Sequence, residues 1–282
     1  MLNEHFDYVP HPLLRPLVAS MTGYRHEGLP PGVHRGVPSP GLTLVITIDE
    51  PVVLTEHADP VQAPEAYDAL VGGLHTRPAL IAHNGRQYGV QLSLTPLGAR
   101  ALLGAPAGVI AVHDLADVLG GPGTELIERV RAATDWAGRL AAVEEVLLRL
   151  ARQQVTLAPE VGEAWRLTTQ TYGRLRVEEI ARRVGWSARH LGERFRAEIG
   201  LTPKEAGRVA RFDRARGLLV RRVGAGRSAD LVTLATVCGY ADQAHLTREW
   251  RSLSGLSPSK YLAAELGFVQ DNAVQLGAES SA

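Results

Sequence analysis

Two stretches of the chain repeat hydrogen-bonding and cationic side chains at helical spacing. Arg189, His190, Glu193, Arg194 and Arg196 share one polar face, and Gln243, Ala244, His245, Arg248 and Arg251 share another. Side chains of these types, projecting from one helix face, suit the base edges and phosphates of a major groove. A single such face is ordinary on a solvated helix. Two of them in the same half of a chain carry more weight.

The elements that would position these faces are themselves duplicated. Val177-Glu178-Glu179-Ile180-Ala181-Arg182-Arg183-Val184-Gly185-Trp186 aligns with Leu231-Val232-Thr233-Leu234-Ala235-Thr236-Val237-Cys238-Gly239-Tyr240 at an offset of 54. Leu191/Leu246, Phe195/Trp250, Gly200/Gly255 and Pro203/Pro258 follow at an offset of 55, so the second turn has one extra residue. Each copy reads as a short helix, a glycine just past its end where a left-handed residue is needed, and a second helix. Ser187 and Asp242 stand as N-caps of the second helices. Leu191, Phe195 and Ile199 form one buried stripe, and Leu246, Trp250 and Leu253 the other. Helix, tight turn and second helix with a polar outer face is the helix-turn-helix pattern. Thr202-Pro203-Lys204-Glu205 opens a bridging helix to about Arg222, with a capping box and proline in its first turn.

Charge is divided along the 282 residues although the formal net charge is zero. Residues 1–160 hold 11 arginines against 17 acidic side chains, whereas residues 161–263 hold 19 basic against 10 acidic. By charge alone such segregation suits either a polyanion partner on the basic half or a basic solvated face with no partner. The excess of arginine over lysine fits genomic base composition better than chemistry.

The first 95 residues read as β-rich. Leu42–Ile48 is the strongest strand, with Val52–Thr55, Tyr67–Gly72, Ala79–His83 and Tyr88–Leu94 around it. Asn84-Gly85 predicts a tight hairpin between two of them. Several short strands at near-regular spacing point to a barrel or sandwich. Helical periodicity begins at Pro96–Leu103 and continues through Thr124–Ala132 and Trp136–Gln153. In the last of these Leu140, Val143, Leu147, Leu148 and Ala151 form an amphipathic stripe, which packs either on the β-rich unit of its own chain or across a dimer. Thr156-Leu157-Ala158-Pro159 reads as a linker.

Other chemistries find little support. His34, His57, His75, His83 and His113 are scattered, without the paired spacing a metal site needs. Ser187 and His190 are neighbours, but no nucleophile elbow surrounds the serine, so capping is its better role. Gly72-Gly73 and Gly120-Gly121 are isolated turns rather than phosphate loops. Cys238, the lone cysteine, takes an apolar position of the repeat and reads as a small buried hydrophobe. No apolar run approaches the 18 residues of a membrane span, and the N-terminus lacks a secretory pattern.

The run Gly239-Tyr240-Ala241-Asp242-Gln243-Ala244-His245-Leu246-Thr247-Arg248-Glu249-Trp250, followed by Gly255-Leu256-Ser257-Pro258-Ser259-Lys260-Tyr261, resembles the signature of AraC-type transcriptional regulators. Ile180-Ala181, Gly185-Trp186-Ser187, Leu191, Phe195, Gly200-Leu201-Thr202-Pro203, Arg211, Ala215 and Leu218-Leu219 match its upstream part. The resemblance covers about residues 160–263. It implies a seven-helix module with helix-turn-helix units at 177–199 and 231–254, and a base- or phosphate-contacting role for Arg248. It places Gln243, Ala244 and His245 on further reading positions, and Arg189, Gly192 and Glu193 on the reading face of the first unit. Gly192 and Glu193 depart from the residues often found there, and Arg176 replaces the usual Ser or Thr cap. More loosely, Pro38-Ser39-Pro40-Gly41, Pro96-Leu97-Gly98-Ala99 and Leu102-Leu103-Gly104 resemble a cupin-like regulatory domain, which implies effector sensing or dimerisation.

The expected fold is therefore α+β: an N-terminal β-rich, cupin-like barrel with trailing helices over 1–155, an all-α AraC-type DNA-binding domain of two helix-turn-helix units over 160–265, and a flexible tail over 266–282. The expected function is a sequence-specific DNA-binding transcription regulator that reads two adjacent major grooves. The DNA-facing residues are Ser187, Arg189, His190, Glu193, Arg194, Gln243, Ala244, His245, Arg248 and Arg251. No catalytic residue, metal or cofactor is assigned, and no enzymatic activity is expected. Double-stranded DNA is the main partner. A small-molecule effector at the N-terminal domain, a second copy in a homodimer and RNA polymerase are further candidates, with no membrane and a cytoplasmic location. The alternative is a small-molecule-binding or enzymatic β-barrel with a helical oligomerisation module.

Overall fold

A computed structural model describes residues 2–151 and 157–265. The expected tail 266–282 and Thr156 of the expected linker lie outside them. Leu157 and Ala158 pack on the helical core, and Pro159 opens the next helix.

The N-terminal unit has ten strands: β1 (Leu2–Tyr8), β2 (Val18–Glu27), β3 (Gly32–Gly36), β4 (Leu42–Thr47), β5 (Val52–Glu56), β6 (Glu65–Tyr67), β7 (Ala69–Gly72), β8 (Ala79–His83), β9 (Arg86–Leu94) and β10 (Val112–Asp114). They form two antiparallel sheets, ordered β1-β2-β9-β4-β7-β10 and β3-β8-β5-β6. The two do not join into a closed barrel. Their separation changes the role of Asn84-Gly85. Strand β8 pairs with β3 and β5, whereas β9 pairs with β2 and β4. Asn84-Gly85 is thus a corner between sheets and not a hairpin. Gly85 takes φ +100°, and an added Cβ would lie 2.1 Å from the Leu29 carbonyl oxygen. The reason is pairing: β8 and β9 each find better partners elsewhere than each other.

Four helices follow: α1 (Pro96–Leu103), α2 (Leu115–Leu119), α3 (Gly121–Ala132) and α4 (Trp136–Leu150). Strand β4 explains why its sequence is almost wholly apolar. Leu42, Leu44 and Ile46 face Leu126, Val130, Leu140 and Val143 of α3 and α4 in the main core. Val45 points the other way, toward Leu54, Tyr67 and Ala79 of the second sheet. A strand covered on both faces loses its alternation. The stripe of α4 packs on the β-rich unit of its own chain, so own-chain packing accounts for it. Trp136 lies over Gly23, where a Cβ would come within 2.3 Å of the indole, and this close approach accounts for a glycine inside β2.

The helical unit comprises α5 (Pro159–Gln170), α6 (Val177–Arg183), α7 (Ala188–Ile199), α8 (Pro203–Gly224), α9 (Leu231–Cys238) and α10 (Gln243–Ser254), with a final helical segment at 258–265. Its core is separate from that of the sheets and joins Leu191, Phe195, Phe212, Leu246, Trp250 and Tyr261. Cys238 is buried in it. The 22-residue α8 starts at the expected capping box: the Glu205 backbone N–H donates to Thr202 Oγ1, and the Thr202 N–H donates to the Glu205 carboxylate. Burial works against the Glu205 carboxylate, but the two Thr202 bonds together with the nearby Arg196 and Arg208 charges hold its pKa below the usual value. Ring packing fastens the second unit to α8. Trp250 stands edge-on to Phe212 at 5.1 Å and to Tyr261 at 5.7 Å.

Trp250→Ala is expected to cost about 3–5 kcal/mol, as for other fully buried aromatics. Thr202→Ala is expected to cost about 1 kcal/mol through the lost cap. Because the folded pKa of Glu205 is depressed, its share of stability is present above the unfolded carboxylate pKa and fades as pH falls through the folded one. Thermal melts of the full chain at neutral and acidic pH measure all three effects.

Candidate nucleic-acid interface

The two helix-turn-helix units are built alike at atomic level. Gly185 (φ +75°) and Gly239 (φ +78°) make the left-handed turns after α6 and α9. Ser187 Oγ accepts from the His190 N–H at 3.2 Å, and Asp242 Oδ1 accepts from the His245 N–H at 2.6 Å. The aromatic after each glycine then meets the histidine of the next helix. Trp186 and His190 are edge-on at 4.7 Å, and Tyr240 and His245 at 5.4 Å. Each turn is thus fixed by a cap below and a ring contact above, which pins the N-terminal half of α7 and α10.

The first helix of the first unit forms without a side-chain cap at Arg176. Glu178 and Glu179 lie in its first turn and favour the positive end of the helix dipole. Arg174 serves the second unit: its guanidinium donates to the Val237 carbonyl at the end of α9.

The structure leaves both polar faces open. Arg189, His190, Glu193 and Arg194 are exposed on α7. Gln243, Ala244, Arg248 and Arg251 are exposed on α10, and His245 is half-buried. Ser187 is exposed, with its hydroxyl engaged in the cap. The Ala241 N–H donates to His245 Nδ1 at 3.2 Å, which leaves Nε2 to carry the ring proton and act as a donor. Arg189 pairs with Glu193 at 2.9 Å although its side chain is 90% exposed. A pair this exposed is worth about 0.3–0.5 kcal/mol and opens readily. Space above Gly192 is empty: a Cβ there would meet nothing within 4 Å.

Equivalent positions have diverged in use. Arg194 faces solvent, but its counterpart Glu249 accepts from Arg208 of α8 at 2.9 Å, while Arg208 also donates to Ser252. Arg211 of α8 donates to the Tyr172 and Gly173 carbonyls and lies 5.6 Å from the centre of the Tyr240 ring. These arginines strap α8 to the second unit and to the Tyr172-Gly173 turn that precedes the first. Helical spacing holds no signal for such bonds, because their partners lie about forty residues away.

A second site lies between the sheets. A cavity of about 950 Å³ is lined from the first sheet by Tyr24, Thr47 and Val45, from the second by Leu54 and His83, and also by Arg35. Arg216 of α8 and Tyr261 reach it from the helical unit. Arg216 donates to Asp213 at 2.9 Å, and its Nε has no hydrogen-bond partner among the described residues. Burial pushes the Tyr24 hydroxyl pKa up. Burial and the neighbouring His34 lower that of His83, against an opposing pull from Glu265.

Residues 180–264 match the family described as "Helix-turn-helix domain". The helical unit is an AraC-type helix-turn-helix domain. The fold is similar to that of ToxT from Vibrio cholerae, with a TM-score of 0.51 at 10% identity over 86% of this chain and 97% of that one. ToxT from Vibrio cholerae O395 bound to (E)-4-(8-methylnaphthalen-1-yl)but-3-enoic acid gives 0.51 at 11% identity, over 94% and 99%. An AraC-type transcriptional regulator from Chromobacterium violaceum is 26% identical over 37% of this chain and 90% of its own, with a TM-score of 0.33. No curated protein matches the chain. Among the described residues, no helix is long and apolar enough to cross a membrane.

In both units the cap side chain accepts from the backbone N–H three residues on, so either residue type should serve in the first turn. Ser187→Ala is expected to cost about 1 kcal/mol, and Ser187→Asp to keep parental stability, since Asp242 fills the same position in the second unit. Thermal unfolding of the full chain checks both.

Proposed function

We propose that this chain is a sequence-specific transcription regulator that reads two successive major grooves of one duplex, with α7 in the first and α10 in the second. The observation that carries the reading is the duplicated turn: the same cap and the same aromatic–histidine contact present two open polar helix faces on one strut. The strut α8 has 22 residues and so is about 33 Å long. Successive major grooves on one side of B-form DNA lie about 34 Å apart.

Roles follow from side-chain chemistry. Arg248 and Arg189 suit guanine O6 and N7, and Gln243 suits adenine. His245 donates through Nε2. Glu193 accepts from a cytosine amine once Arg189 turns away. Arg194 and Arg251 contact phosphates, and Ser187 holds the α7 N-terminus against the backbone. The basic surplus of residues 161–263 supplies affinity through counterion release. RNA polymerase and a second copy of the chain belong to this reading as further partners, and sedimentation of the full chain tests the second.

The cavity between the sheets is the effector site of this reading. ToxT has been solved with an unsaturated fatty acid and with an aryl butenoic acid, both carboxylates on apolar bodies. Here Val45, Leu54, Leu70 and Ile81 offer apolar walls, and the Arg35 and Arg216 guanidiniums, each beside a carboxylate in Glu265 and Asp213, also line the cavity. An apolar monocarboxylate fits that lining.

Arg248→Ala is expected to weaken binding to the genomic site by about 1–3 kcal/mol and relax selectivity at one base step. Arg251→Ala is expected to weaken all duplexes alike and to lower the salt slope by about one. Titrations of the full chain against selected and random duplexes at several salt concentrations measure this. Equal affinity for both duplexes in the parent would sink the reading. For the cavity, oleate is expected to raise the melting temperature of the parent and not of Arg216→Gln.

A further inference from the structure

The first sheet turns its polar side inward. Met21 of β2, Leu92 of β9 and Leu44 of β4 belong to the main core shared with α3 and α4. The opposite face of the same strands looks between the sheets, and there Ser20, Thr22 and Tyr24 of β2, Gln91 of β9 and Thr43 and Thr47 of β4 line the cavity. Toward the far side of β4 this wall turns apolar at Val45. The facing wall is the reverse: Val52 and Leu54 of β5 and Ala79 and Ile81 of β8. Two sheets that merely packed together would interdigitate apolar side chains from both inner faces. Here one wall is polar and the other apolar, so the space between them suits a molecule with one wet edge and one dry edge.

Strand register sets two of the polar groups beside each other. Tyr24 pairs with Gly89, and Gly89 with Thr47. The Tyr24 ring reaches across that glycine: a Cβ on Gly89 would lie 2.9 Å from the phenol oxygen. The phenol oxygen is therefore held over β9. Gln91 is the next residue on the same face of that strand, about 7 Å along it. Gln91 is exposed although β9 lies between β2 and β4, because its side chain projects into the cavity. Among the described residues, neither the Gln91 amide nor the Tyr24 hydroxyl has a hydrogen-bond partner. Burial, with Asp49 nearby, keeps the phenol protonated, so it is a donor. The amide can donate or accept. A plain acyl chain lying against this wall would shut water away from both groups and leave them unpaired, which costs free energy. A chain with one hydroxyl at this level satisfies both, since its oxygen accepts from Tyr24 and its O–H donates to Gln91 Oε1.

We propose that the cavity selects a hydroxylated carboxylic acid, with the alkyl chain against Val52, Leu54 and Ile81 and the hydroxyl between Tyr24 and Gln91. The proposal rests on the carboxylate reading of the cavity above and adds a second recognition point on the first sheet.

Isothermal titration of the full chain tests it, with octadecanoic acid and a series of hydroxyoctadecanoic acids in which the hydroxyl is walked along the chain. At least one member of the series is expected to bind about tenfold more tightly than the unsubstituted acid, the scale of one satisfied buried hydrogen bond. In Tyr24→Phe and in Gln91→Leu that preference is expected to vanish. The unsubstituted acid should bind both variants at least as well as the parent, because each change removes a polar group that this acid leaves unpaired. If the unsubstituted acid matches every hydroxylated one in the parent, the hydroxyl site is overturned and the carboxylate reading stands. That comparison needs neither variant to fold. A preference that survives in either variant overturns the assignment to these two residues. If no acid of either kind binds the parent, the carboxylate reading falls, and the hydroxyl site with it.

Discussion

The burial of Trp250 between Phe212 and Tyr261 is the contact on which the geometry of the helical unit depends. It fixes α10 to α8, and α8 in turn carries α7 through the shared core of Phe195, Val209 and Phe212. Two reading helices on a flexible tether would each search for a groove alone. Two on one packed strut, as proposed above, would approach a duplex together, because the entropy of aligning them is already spent in folding. The indole N–H of Trp250 is buried without a hydrogen-bond partner among the described residues, which costs free energy.

Around this frame, ion pairs divide into two kinds. Arg189–Glu193 and Arg183–Glu179 are exposed pairs within single helices and contribute little. Arg208–Glu249 and Arg100–Glu198 are better shielded and join elements far apart in sequence. The first of these fixes the second reading helix within its own unit. The second ties the first reading helix to the other unit. The two halves of the repeat, so alike in caps and turns, therefore sit in different mechanical settings.

The helical unit was highly legible from its residues. Its helices depend on local chemistry: Ser187, Thr202 and Asp242 cap as their types require, and the buried stripes keep a helical period. The sheets were less so. Leu42–Ile48, Val52–Thr55 and Ala79–His83 were readable as strands, but β1 and β2 were not, because Leu2–Tyr8 is an exposed edge and β2 mixes glycine with polar residues facing the cavity. Asn84-Gly85 marked a turn correctly and its partners wrongly, since a dipeptide does not encode which strand pairs with which.

By itself, then, the sequence determined the duplicated helix-turn-helix unit, its caps, its turns and the side chains on its outer faces, all of which rest on interactions within a few residues. Tertiary structure alone decided which sheet each strand joined, that a cavity opens between the sheets against Arg216, and that α7 ends on Gly108. Those features depend on contacts between residues tens to hundreds of positions apart. Such contacts are selected by packing and shape, for which no short-range period exists.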